Sequence, residues 1–154
     1  MTNAASKSAT QDIAVDEVFP HAPETIWRTL TTGALIARWL MEPRGFAPVK
    51  GTRFTYQTKP AGEWDGTIQC EVLDVVPNER FVYAWKGGHA SNDGYGSALD
   101  TVVTFTLTKV PEGTRLKLVH SGFATPRNDT AFKGMGEGWR KIVPKLGDIA
   151  DEPR

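Results

Sequence analysis

Five stretches between residues 53 and 120 alternate apolar with polar side chains, and each needs one face covered. They carry Phe54 and Tyr56; Ile68, Cys70 and Val72; Phe81, Tyr83 and Trp85; Val103, Phe105 and Leu107; and Leu116, Leu118 and His120. Successive side chains of a strand point to opposite faces, so every stretch gathers its apolar row on one side. Pro60-Ala61-Gly62, Pro77-Asn78 and Pro111-Glu112-Gly113 mark turns between them. A further alternation through Ile13, Val15 and Phe19 stops at Pro20. Such a sheet has one face to bury. The chain provides one long amphipathic helix to bury it, with Trp139, Ile142, Val143 and Leu146 at the i, i+3, i+4, i+7 spacing of a single stripe. Two shorter helices precede residue 41: one opens at Pro23 and carries Ile26, Trp27 and Leu30, and the other carries Leu35, Ile36, Trp39 and Leu40. The expected architecture is α+β, an antiparallel sheet of about six strands curled around the C-terminal helix.

The helix pattern carries two weaknesses. Gly134, Gly136 and Gly138 lie in its first half, each costing about 1 kcal/mol against alanine. Pro144 removes one backbone hydrogen bond near Arg140. A helix that adjusts locally at both places is expected. Residues 86–97 are rich in glycine and short polar side chains, and a link of that length is expected to be mobile.

With 154 residues, one domain is expected, spanning residues 12–150 behind a loose polar tail at 1–11. Eighteen basic residues balance eighteen acidic ones, so no net field draws the chain to nucleic acid or an anionic membrane. Arg140, Lys141 and Lys145 read as a solvated helix face. No apolar run approaches the roughly 20 residues of a membrane span. A lone Cys70 excludes an internal disulfide and fits a cytoplasmic protein.

Candidate chemistry is sparse. His21, His89 and His120 are scattered, without the close spacing that metal ligands show, and no cofactor is implied. Cys70 and His120 share the inward parity, which permits a nucleophile and base across the sheet. The competing reading of Cys70 is an inert buried hydrophobe. His120 itself has three readings: a core histidine tied to a partner, a ligand-orienting group inside a cavity, or a general acid or base. The aromatic residues are either core or, in part, the wall of a pocket able to stack a flat ring. Trp64-Asp65-Gly66 reads as a bend at a strand start.

Pro23-Glu24-Thr25-Ile26-Trp27, Trp39-Leu40-Met41, Trp64-Asp65-Gly66-Thr67-Ile68, Glu71-Val72-Leu73, Gly113-Thr114-Arg115-Leu116, His120-Ser121-Gly122-Phe123 and Gly138-Trp139 follow one another in order. In this the chain resembles the bacterial homologues of the activator of the heat-shock chaperone ATPase, within the START-like (SRPBCC, birch-pollen-allergen-like) superfamily. The resemblance covers residues 12–149 and implies a helix-grip fold: a curved antiparallel sheet clasping the C-terminal helix, two short helices closing one end, and an internal cavity. The long 86–97 loop and Pro144 depart from the family pattern.

The function that follows as an expectation is non-catalytic binding of a small hydrophobic or aromatic ligand of lipid, polyketide or polyphenol type. Trp39, Phe54, Cys70, Trp85, Phe105, His120, Phe123 and Trp139 are the expected cavity residues. A stress-response module docking on a chaperone, and a cyclase or hydrolase of a polyketide-like substrate, are the alternatives. The protein is expected to be a monomer or homodimer.

Overall fold

The computed structural model of the chain describes residues 9–152. Its elements run β1 (Thr10–Phe19), α1 (Pro23–Thr31), α2 (Gly33–Trp39), β2 (Arg53–Gln57), β3 (Thr67–Val76), β4 (Arg80–Gly87), β5 (Leu99–Val110), β6 (Gly113–Ala124) and α3 (Asp129–Ala150). The strands form one sheet in the order β1-β6-β5-β4-β3-β2, and every neighbouring pair is antiparallel. Helix α3 packs against β1, β6 and both short helices. The curled antiparallel sheet read from the alternation is therefore the observed one, in the helix-grip form that the resemblance implies. Strand β1 begins at Thr10, two residues inside the segment expected to be a loose tail. Residues 1–8 of that segment lie outside the described residues.

The apolar parities meet as the alternation requires. Val72, Phe81, Val103, Phe105, Leu116 and Leu118 are buried on the inner face, where Val143 and Leu146 of α3 join them in one core. Strand β6 extends beyond the expected end at His120. Gln11 pairs with Phe123 and Ile13 with His120, so β6 holds one residue more than β1 over this interval. Gly122, at φ +101°, accommodates this bulge. The extra residue turns Phe123 to the same face as His120, and their rings stand 4.7 Å apart.

The glycines of α3 divide by environment. At Gly147 an added Cβ would sit 2.7 Å from two carbons of the Phe19 ring, and that ring is itself buried. At Gly134 and Gly138 an added Cβ meets nothing within 4 Å. Alanine at these positions is expected to act with opposite sign. Gly138→Ala should raise stability by up to about 1 kcal/mol through helix propensity. Gly147→Ala should lower it by about 1–2 kcal/mol, because forced repacking outweighs that gain. Urea unfolding of the two variants checks this.

Candidate ligand cavity

The two open glycines border a cavity of about 290 Å³ between α3 and the sheet. Helix α3 contributes Thr130, Ala131, Gly134, Met135, Gly138, Trp139 and Ile142. The sheet adds Ile68, Trp85, Gly87 and Leu99, and the connecting segments add Leu40, Met41, Thr58, Trp64, Gly88, Tyr95, Gly96 and Ser97. Gly134 and Gly138 are four residues apart and so share one helix face. Their missing side chains keep that face back from the opposite wall.

The loop after β4 supplies part of this wall, and it is tied at several points. Asn92 Nδ2 donates to the Ala61 carbonyl at 2.7 Å and to that of Gly96 at 3.1 Å. The Tyr95 hydroxyl donates to the Lys59 carbonyl at 2.7 Å, and Arg127 donates to the carbonyls of Ala90 and Asn92. Asn128 donates to Ser97 Oγ at 2.8 Å, fastening the end of the loop to the start of α3. Trp64 lies 5.9 Å from Tyr95, ring to ring. The expected bend at Trp64-Asp65-Gly66 is present: Thr67 N donates to Asp65 Oδ1 at 2.9 Å, and Gly66 has φ +87°.

Of the eight expected cavity residues, Trp85 and Trp139 line this space. The other six occupy the surrounding core. Phe105 stands behind Trp139 at 6.0 Å and beside Trp39 at 6.3 Å. Trp39 donates its indole N–H to the Thr29 carbonyl at 3.0 Å. Phe54 packs on Phe46, Tyr56 and Tyr83, and Phe123 sits between His120 and Phe132.

Cys70 and His120 do not approach one another. Cys70 lies on β3 and His120 on β6, with β4 and β5 between them. Three strand spacings amount to roughly 14 Å. Burial also pushes the Cys70 thiol up, away from the reactive thiolate.

His120 is fully buried, and both ring nitrogens are engaged. The Trp139 indole N–H donates to Nδ1 at 3.0 Å. An Nδ1 that accepts carries no proton, so the neutral ring holds its proton on Nε2, which lies 2.8 Å from Thr101 Oγ1. The Thr101 hydroxyl donates in turn to the Trp85 carbonyl at 2.7 Å. The chain Trp139, His120, Thr101, Trp85 thus links α3 to three strands with every proton assigned. Burial lowers the His120 pKa to about 3, so the ring is neutral at ordinary pH. Of its three readings, the geometry matches the core histidine tied to partners.

The cavity is accordingly an apolar space with little chemistry on its walls. No Asp, Glu, Lys, Arg, His or Cys is among its lining residues. Among the described residues no group of three or more His, Cys, Asp or Glu side chains is placed to hold a metal ion. No described helix is long and apolar enough to cross a membrane.

Comparison with known proteins places this geometry in context. The family described as Activator of Hsp90 ATPase homolog 1-like protein matches residues 20–151. Protein MLL2253 from Mesorhizobium loti is 37% identical, with a TM-score of 0.78 over 92% of this chain and 97% of that one. Protein BH1534 from Bacillus halodurans shares the fold at 24% identity and TM-score 0.71, again over 92% and 97% of the two chains. The Aha1 dimer from Colwellia psychrerythraea shares it at 19% identity and TM-score 0.69, over 92% and 96%. No curated protein matches the chain.

Proposed function

The chain belongs to the Activator of Hsp90 ATPase homolog 1-like family, and from that premise together with the cavity we propose that it binds a small apolar or aromatic molecule without transforming it. The observation that carries this reading is the cavity wall: Trp64 and Trp85 line it together with Trp139 of α3, on a helix whose Gly134 and Gly138 leave the space open. Lipid, polyketide and polyphenol ligands suit such a wall, because each square ångström of apolar surface removed from water contributes about 25 cal/mol. Absence of a carboxylate or imidazole from the lining disfavours a cyclase or hydrolase, which needs an acid or base within reach of the substrate. Trp85 and Trp139 are the ligand contacts we retain from the sequence-derived set. Phe105 and His120 of the core pack against them.

A docking role on a chaperone is the second reading, favoured by the activity that the family description names. Among the described residues the large apolar side chains exposed on the surface are Val18, Val49, Leu73 and Tyr95, which sit on four separate segments. Their scatter favours the cavity over a broad docking surface. Retention of a chaperone by tagged protein, undiminished when the cavity is filled, is what this second reading requires. A cytoplasmic monomer or homodimer fits either role.

Thermal unfolding against fatty acids, sterols, flavonoids and aromatic polyketides tests the binding reading. A ligand at 100 times its dissociation constant adds about 2.7 kcal/mol to the folded state. That raises the midpoint by roughly 5–10 °C for a domain of this size. A rise confined to one chemical class is the expected result, and no rise across the panel counts against binding.

A further inference from the structure

Two loops form one side of the cavity, and they are joined to one another. Residues 58–66 and 88–97 supply Thr58, Trp64, Tyr95 and Ser97 to its lining. Asn92 Nδ2 donates to the Ala61 carbonyl and the Tyr95 hydroxyl to the Lys59 carbonyl, both at 2.7 Å. The loops also meet at close range. A Cβ added at Gly96 would lie 2.9 Å from Ala61 Cβ, and one added at Gly62 would collide with the Asn92 side chain. Asn128 ties the end of the second loop to the start of α3, through Ser97 Oγ at 2.8 Å and the Ala98 carbonyl at 3.0 Å. The helical wall is equally fixed. Trp139 bonds to His120 in the core, and Val143 and Leu146, one and two turns further along α3, are fully buried.

A space bounded in this way limits what enters it. An apolar cavity of about 150 Å³ holds one benzene ring, so the cavity of about 290 Å³ corresponds to about two fused rings. No charged side chain lines it, and an ionised group buried without a partner costs far more than a neutral one. We infer that the occupant is an uncharged molecule with a body of about two fused rings, and that the joined loops set this limit. The inference rests on the proposed binding role and narrows it. A naphthalene-sized aromatic fits the space, whereas a sterol exceeds it. A long-chain fatty acid exceeds it too, and brings a charge that nothing on the wall offsets. Separating the two loops is then the way to admit a larger body.

Acetophenone, 2-acetylnaphthalene and 2-acetylanthracene, a series of one, two and three rings, test the limit by equilibrium dialysis. Affinity is expected to rise about tenfold from one ring to two, as more apolar surface is buried, and to gain nothing from the third. A further rise of about tenfold with the third ring overturns the inference and leaves the binding role standing. The anion 2-naphthoate matches 2-acetylnaphthalene in size and is expected to bind about 100-fold more weakly at neutral pH. Equal affinity for the two overturns the inference as well. Tyr95→Ala removes the hydroxyl that holds the Lys59 carbonyl, on a side chain about half exposed. It is expected to restore the gain of about tenfold from the third ring. A folded Tyr95→Ala protein that keeps the wild-type order of affinities would show that the loops do not set the limit. If no probe binds the wild-type protein, the binding role itself fails and the inference falls with it.

Discussion

Replacing His120 with leucine is expected to lower the thermal midpoint by roughly 10–15 °C. The side chains are similar in size, so the loss comes from the hydrogen-bond chain. Without the imidazole, the Trp139 N–H loses its acceptor and the Thr101 hydroxyl loses a partner, both in a buried setting. An orphaned buried donor costs about 1–3 kcal/mol, and imperfect repacking brings the total to about 3–5 kcal/mol. A double variant, His120→Leu with Trp139→Phe, should be less destabilised than the sum of the two single changes, because the second removes the donor that the first orphans. Strict additivity would show that the two groups do not share an interaction.

The same histidine sets an acid limit on stability. Its folded pKa of about 3 lies below the 6.5 of an exposed imidazole. Between those values the unfolded chain binds a proton that the folded protein refuses, so stability rises with pH across the window and is lost as pH falls through it. The slope is about 1.4 kcal/mol per pH unit and the full loss on the order of 4–5 kcal/mol. Asp16 and Asp65, held below the usual carboxylate range by Arg115 and by the Thr67 N–H, add their losses only at the acid end. Denaturant midpoints between about pH 4.5 and 6.5 therefore report mainly on His120, and the His120→Leu variant should lose most of that slope.

Filling the cavity from the helix is expected to separate binding from folding. In the double variant Gly134→Leu/Gly138→Leu, two isobutyl groups enter a space of about 290 Å³ along one helix face. Affinity for any cavity ligand should drop by about 100-fold or more, since overpacking a bound state costs as much as overpacking a core. Stability should hold or rise, because each leucine is a better helix former than glycine by up to about 1 kcal/mol. A variant at least as stable as wild type that binds as tightly would place the ligand elsewhere.

The strand parities and the covering helix were legible because periodicity is local, and the helix-grip arrangement followed from the family resemblance. Phe81-Tyr83-Trp85 and Leu116-Leu118-His120 needed only a period of two to declare their buried face. The cavity was less legible because it is made partly of absences. Gly134 and Gly138 register in the sequence as lost helix propensity, and only the opposite wall shows that their missing side chains leave room. Met41, Tyr95 and Ser97 reach the cavity from segments without periodicity. Tyr95 is held there by a bond to Lys59, 36 residues away, and no local pattern carries that information. Inward parity placed His120 in the interior correctly, but parity cannot separate a core position from a cavity wall. The bulge at Gly122 accounts for Phe123, whose inward direction a strict alternation would not give.

The five tryptophans make the central claim measurable in one experiment. Trp64, Trp85 and Trp139 line the cavity, whereas Trp27 packs on Phe81 and Trp39 is bonded to Thr29. Nitrogen-15 spectra of the indole groups, recorded while the strongest thermal-shift ligand is titrated, follow all five at once. The account predicts that the Trp64, Trp85 and Trp139 signals move together to a common saturation while those of Trp27 and Trp39 stay nearly fixed. Saturable binding that leaves the three cavity signals unmoved would contradict it.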